Sequence, residues 1–142
     1  MEFSKQGHCV YYTRYHIVMI TKYRRRVLKA GMGEYLKATI RGISKHYPEI
    51  RIVEVNTDED HVHIQIEIAP NVAVSEAVGR LKAYSSRHLR QRFKFIREIY
   101  LERDGIWSAG YFSSTVGLNE AQVRHYINWQ GKKDKPQKSR LF

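Results

Sequence analysis

The eight residues HVHIQIEI at 61–68 alternate without a break. Val62, Ile64, Ile66 and Ile68 share one face of an extended strand, and His61, His63, Gln65 and Glu67 share the other. A period of two excludes a helix. It also demands a sheet with a covered apolar face, because four β-branched side chains on one side have to be buried. The question left open is what two histidines do on the opposite face, directly after Asp58, Glu59 and Asp60. The preceding IRIVEVNT, 50–57, reads as a second strand, and TDED joins the two into a hairpin.

The rest of the chain supplies the cover. Residues 8–21 (HCVYYTRYHIVMIT) are aromatic and β-branched and predict one long strand. Met32, Leu36, Ile40, Ile43 and Tyr47 recur at helical spacing over 32–47, with Pro48 after the end. A second helix is predicted over 74–92, with Val74, Val78, Leu81 and Leu89 inward and Arg80, Lys82, Arg87 and Arg90 outward. A less regular section follows, then a strand over 109–116. After Gly117, Asn119 is an N-cap with Gln122 three residues on, and that helix is expected to end at Gly131. The order is β-α-β-β-α-β with one helix appended, an α+β, ferredoxin-like pattern. In it two helices cover one face of a four-stranded antiparallel sheet whose first and third strands are central. The apolar face of 61–68 then lies under the helices, and the histidines face the open side. One domain is expected over 1–131, with a basic tail over 132–142.

The charge narrows the partner. Among 142 residues, 25 Lys and Arg stand against 14 Asp and Glu, a formal net charge of +11. Solubility alone is the plain explanation. Basic residues interleaved with aromatics, as in KYRRR, YSSRHLRQRFKF and RHYINWQGKK, point instead to nucleic acid. Cys9 is the single cysteine, so no internal disulfide and no cysteine-based zinc site can form, which suits a reducing cytoplasm. The stretch MEFSKQGHCVYY lacks the pattern of a signal peptide. The longest apolar run, 17–20, is far too short to cross a bilayer.

Residues two apart on a strand project to one side with Cβ atoms about 6–7 Å apart, so His61 and His63 can converge on one metal ion. Polar surface is the other reading of the pair. On the last helix Val123, Tyr126, Ile127 and Gln130 form one stripe. Either Tyr126 and Ile127 are core and Gln130 ends the helix, or the stripe meets the open sheet face. In the second case it presents a phenol and an amide oxygen. Two imidazoles with one neutral oxygen suit Mg²⁺ or Mn²⁺, the latter better matched to imidazole. His125 points about 100° away around the helix from Tyr126. His16 and His88 read as structural or DNA-facing. Tyr84, Trp107 and Trp129 can stack on bases or pack.

These features converge on a known family. His61-Val62-His63, Tyr126 with Gln130 four residues later, YHIVMITKYRR at 15–25 and GYFSSTVG at 110–117 resemble the small single-tyrosine transposases of the HUH superfamily, those of the insertion-sequence 200/605 type (TnpA-like). The likeness covers nearly the whole chain. It implies homodimers that act on single-stranded DNA carrying imperfect hairpins. It implies that Tyr126 attacks a phosphodiester, forms a 5′-phosphotyrosine and frees a 3′-OH, with His61, His63 and Gln130 holding Mg²⁺ or Mn²⁺. In the family the tyrosine helix of one subunit can complete the histidine site of the other. Gly117 is a hinge-like position that could send the helix across, and a first strand of unusual length could reach a partner. The one-sided charge of Arg80, Lys82, Arg87 and Arg90 suits the hairpin backbone, with a solvated face as the plain alternative.

The chemistry agrees with this assignment. Exchanging one phosphoester for another is nearly isoenergetic, and the chain has no GxxxxGK[ST] loop for nucleotide hydrolysis. Free tyrosine, with a pKa of roughly 10, needs help at neutral pH. Two rival readings remain at this stage. One is a non-catalytic single-stranded DNA- or RNA-binding module on the same fold, and the other is a metal-independent RNA endonuclease.

Overall fold

The alternating segment forms β5 (His61–Ile68), a central strand of a four-stranded antiparallel sheet in this computed structural model. The structure describes residues 4–7, 9–101, 105–117 and 119–134. Beside β5 run β3 (Arg14–Ile20) and β4 (Ile50–Thr57), and β6 (Phe112–Ser114) lies beyond β3. The order β4-β5-β3-β6 puts the first and third of these strands in the middle, which is the ferredoxin-like arrangement.

The apolar face is buried as the alternation requires. Val62, Ile64 and Ile66 of β5 and Ile17 and Met19 of β3 are inaccessible to solvent. They lie in one core with Leu36 and Ile40 of α1 (Gly31–Arg41) and Leu81 and Leu89 of α2 (Val74–Arg92). Each such side chain contributes about 1.5–3 kcal/mol. In β4 the register against β5 shifts between Ile52 and Glu54. This bulge lets Ile50, Ile52 and Val55 face inward while Glu54 and Asn56 face outward. Without it, the alternation begun at Ile50 would have driven Glu54 into the core.

Five boundaries depart from the sequence reading, the first being the helix expected over 32–47, which is α-helical only to Arg41 and tightens to a 3-10 helix over Gly42–Lys45. The strand expected over 8–21 is broken: β2 (Cys9–Tyr11) pairs with β1 (Ser4–Gln6) in a separate hairpin, and β3 starts only at Arg14. Thr13 marks the break, its hydroxyl donating to the Ile68 carbonyl and its own carbonyl accepting from the Ile68 N–H. Residue 8 lies outside the described residues. The section read as irregular holds α3 (Lys94–Ile99), which buries Ile96 and Ile99. The last strand is shorter than 109–116. The final helix, α4 (Glu120–Lys133), begins at the expected Asn119–Gln122 capping box but continues past Gly131. Its stop is Asp134, whose N–H reaches the Gln130 carbonyl at 3.1 Å. Two residues of the expected tail, 132 and 133, are therefore helical, and 135–142 lie outside the described residues. Gly131 instead leaves space for the Arg24 side chain, which a Cβ would strike. Among the described residues no helix is long and apolar enough to cross a membrane.

Candidate active site

The face of β5 opposite the core carries His61 and His63, paired across β3 with Ile20 and Val18. His61 Nδ1 is 2.9 Å from Asp60 Oδ1. The other oxygen of that carboxylate lies 3.5 Å from Arg24 Nε. The hydrogen bond from His61 holds Asp60 below the usual carboxylate range, against the opposing effect of burial and with help from Arg24. His63 has a different partner: its Nε2 is 3.2 Å from His16 Nδ1. The two rings border a depression of about 70 Å³ with Glu54, Asn56 and Gln65. Burial, and then the proximity of His16, pushes the His63 pKa below its ordinary value, which favours the neutral ring. His16 thus stands next to a candidate ligand. Its place follows from the β3–β5 register, which sets His16 opposite Gln65, two residues along β5 from His63 and on the same face.

The tyrosine helix docks on this same sheet face. Tyr126 and Ile127 are buried against Val18 and Ile20. Gly117, the hinge-like position that could send the helix across to a partner, is followed here by a helix docked on its own sheet. The phenol is not at the histidines. The Tyr126 ring leans on Phe112 of β6, with ring centroids 5.7 Å apart. The histidines stand on β5, so β3 intervenes, and neighbouring strands are about 4.8 Å apart. The Tyr126 hydroxyl is buried and has no hydrogen-bond partner among the described residues. Burial, reinforced by the Asp134 carboxylate, raises its pKa well above that of free tyrosine. Gln130 sits beside it. A Cβ at Gly110 would lie 2.5 Å from Gln130 Oε1 and 3.4 Å from the Tyr126 hydroxyl oxygen, so a side chain there would push the Gln130 amide aside.

The structure therefore makes two pairs rather than one cluster. His61 and His63 share a face, and Tyr126 and Gln130 share a turn of helix on that face. A cleft of about 610 Å³ is bordered by Arg24, Asp60 and His61 and by Val123, Ile127 and Asn128 of α4, and His63 does not line it. Tyr126 and Gln130 do not line it. Among the described residues no group of three or more His, Cys, Asp or Glu is disposed to hold a metal. The histidine pair itself fits a divalent cation. One imidazole has its Nδ1 committed to a carboxylate, which leaves Nε2 for a ligand, and burial favours the neutral form of the other. Gln130 is not brought to that pair in this arrangement.

The basic helix is less free than its sequence implies. Arg80 pairs with Glu49 and with Glu76. Lys82 Nζ donates to the carbonyls of Ser108 at 2.7 Å and Gly110 at 3.0 Å, and burial lowers its pKa. Arg90 donates to the Tyr100 carbonyl. These three were expected outward; Glu49 and Glu76 engage Arg80, and carbonyls of the 100–110 segment draw Lys82 and Arg90 toward the fold, while Arg87 stays exposed. Lys82, Arg87 and Arg90 nevertheless border, with Arg97, a cleft of about 1030 Å³. Tyr84 and Trp107 are buried, and the Trp107 indole N–H donates to Ser85 Oγ at 2.9 Å. Trp129 is half exposed, with Lys133 Nζ 4.3 Å from its ring centre.

Comparisons with known proteins bear on the family and the fold. The family model described as "Transposase IS200 like" matches residues 9–130. The transposase for insertion sequence element IS200 of Salmonella typhimurium is 34% identical over 129 residues, covering 91% of this chain and 84% of the relative. The ISDra2 transposase TnpA of Deinococcus radiodurans is 29% identical over 135 residues, covering 94% and 95%. The crystal structure of a proposed transposase from Deinococcus radiodurans superposes with a TM-score of 0.76 at 26% identity, over 89% of this chain and 97% of the other. A REP-associated tyrosine transposase bound to a REP hairpin shares the fold, with a TM-score of 0.52 at 15% identity over 88% of this chain and 70% of the other.

Proposed function

The chain belongs to the IS200-like transposase family, and we propose that it cleaves and rejoins single-stranded DNA at hairpin-marked element ends through Tyr126. The Tyr126 oxygen attacks the scissile phosphorus, a 5′-phosphotyrosine bond forms, the bond to the 3′ oxygen breaks, and that oxygen leaves as a 3′-OH carrying the proton. A 3′-OH of another end later attacks the phosphotyrosine and restores a phosphodiester, releasing the phenol. His61 and His63, with Gln130 as third donor, would hold Mg²⁺ or Mn²⁺. When bound, such an ion supplies Lewis-acid neutralisation of the charge that builds on the phosphate. The observation that carries this reading is the placement of the histidine pair and the tyrosine helix on one sheet face.

The docked position of α4 also limits when Tyr126 can act. A phenol hydroxyl that is buried in this position, with no hydrogen-bond partner among the described residues, does not meet a phosphate. The helix must leave this position for cleavage. We therefore read the cleaving form as a homodimer in which the Tyr126 helix of one subunit completes the His61–His63 site of the other. A hairpin partner is supported by the related fold seen on a REP hairpin. Arg87, with Lys82 and Arg90 around the neighbouring cleft, is the candidate surface for its backbone, and Arg80 on the same helix lies outside that cleft.

The test is covalent capture. With Mn²⁺ and a single strand carrying an element end, a denaturation-resistant protein–DNA adduct is expected, and Tyr126→Phe should abolish it while DNA binding persists. An adduct formed by Tyr126→Phe would reassign the nucleophile. Binding without any adduct in the wild type would favour the non-catalytic module. Full cleavage in excess chelator would remove the metal role.

A further inference from the structure

Asp60 is not explained by the site as described above. It directly precedes His61, is only 14% exposed, and divides its carboxylate between His61 Nδ1 and Arg24 Nε. Its backbone carbonyl is separately engaged by the Thr21 N–H and the Thr21 hydroxyl. The side chain is therefore not needed to close the turn. Arg24 is itself placed at a cost: it and Tyr23 hold positive φ values of 53° and 63°, a region that disfavours side chains. From there Arg24 reaches in two directions, to Asp60 and, through Nη1 at 3.0 Å, to Asn128 Oδ1 on α4.

An ionised carboxylate can only accept a hydrogen bond, so the nitrogen of His61 that faces Asp60 has to carry the proton. In a neutral imidazole the lone pair then resides on Nε2. Carboxylates that hold the far nitrogen of a metal-binding histidine fix both the tautomer and the ring plane, and their loss typically weakens metal affinity about 10–100-fold. Among the described residues His63 makes no hydrogen bond to a carboxylate, although Glu54 borders the same depression, and its bond is to His16. The two candidate ligands are thus unequal: one is fixed by a charged group and the other by a second imidazole.

Resting on the reading of His61 as a cation ligand, we propose that Asp60 is a positioning residue that commits the Nε2 of His61 to the cation. Arg24 seats Asp60 and ties it to the tyrosine helix through Asn128. Departure of α4 removes the Asn128 contact and leaves Arg24 to Asp60 alone.

The test uses the metal-free full chain first. Long-range ¹H–¹⁵N NMR of the neutral His61 ring should show the proton on Nδ1 in the wild type and a mixture of tautomers in Asp60→Ala. Asp60→Asn, whose amide oxygen can still accept, should retain the Nδ1–H form and guard against misfolding. Mn²⁺ titration by calorimetry is the second readout. Asp60→Ala is expected to bind about 10–100-fold more weakly, Asp60→Asn to lie between it and the wild type, and His61→Ala to lose the site. A wild-type tautomer in Asp60→Ala, or wild-type Mn²⁺ affinity in a folded Asp60→Ala whose His61→Ala counterpart has lost binding, overturns the role of Asp60 alone. Mn²⁺ binding that is absent from the wild type, or unchanged in His61→Ala, overturns the ligand reading and this inference with it.

Discussion

The two faces of the sheet are built on different principles. Under α1 and α2, strands β3, β4 and β5 contribute side chains such as Ile17, Met19, Ile64 and Ile66 that are wholly out of solvent, and the helices answer with Leu36, Ile40, Leu81 and Leu89. Under α4, the buried apolar set is Val18, Ile20, Tyr126 and Ile127, and the neighbouring positions are His16, His61, His63 and Glu67. At about 1.5–3 kcal/mol per buried side chain, Tyr126 and Ile127 hold α4 down by only a few kcal/mol before any ordering cost. Its other attachments are polar: Asn128 to Arg24, and Asp134 to the Tyr23 N–H and the Ser108 hydroxyl. One face makes the fold. The other carries a helix held by few buried apolar side chains, and that helix carries the tyrosine.

The sharpest way to separate the faces is Tyr126→Phe. It should remove covalent adduct formation entirely. Because the lost hydroxyl is buried and unpaired, folding stability should be unchanged or rise by up to about 1 kcal/mol. Urea denaturation beside the adduct assay checks both. A marked loss of stability would show that the hydroxyl is satisfied in the fold.

Next in size is a matched pair of truncations. Leu81→Ala on the helical face should cost about 2–5 kcal/mol of global stability. Ile127→Ala should cost clearly less globally, while hydrogen exchange of the α4 amides speeds up selectively through local opening. Equal global losses with no selective exchange would make α4 an integral part of the core.

A smaller effect is expected at Glu67, on the α4 side of the sheet. Burial pushes its carboxyl pKa up, but the Ser4 hydroxyl and the guanidiniums of Arg51 and Arg14 outweigh that and hold it below its ordinary value. A folded pKa below the unfolded one means stabilisation that is present above the unfolded value of roughly 4.3 and is lost as pH falls through the folded value. Glu67→Gln should therefore be less stable than the wild type by about 1–2 kcal/mol at neutral pH, with the gap closing in acid. A gap that persists at pH ~2–3 would assign the loss to packing instead.

Much of this division could be read from residue order. Strict alternation in 61–68 placed four apolar side chains on one face and the histidines on the other, and helical spacing over 74–92 identified the cover. The Asn119–Gln122 capping box set the start of α4. Other features depend on partners distant in sequence. His16 meets His63 only through the β3–β5 register. Lys82 turns inward because the carbonyls of Ser108 and Gly110, 26 and 28 residues later, accept from it. A run of β-branched residues does not show where a strand changes partner, so 8–21 read as one piece. The six residues of α3 are too few for a period to register. The role of Arg24 rests on left-handed backbone at Tyr23 and Arg24, for which neither residue type is a signal.

The claim that Tyr126 acts away from its docked position, at the histidines of a second subunit, is tested most directly by mixing two inactive proteins, Tyr126→Phe and His61→Ala/His63→Ala, with heterodimer formation confirmed. If sites are shared, each mixed dimer contains one site with an intact tyrosine and an intact histidine pair, and cleavage of the hairpin-bearing strand returns. If each subunit uses its own tyrosine, every site keeps one defect, and confirmed heterodimers that stay inactive would contradict the shared site.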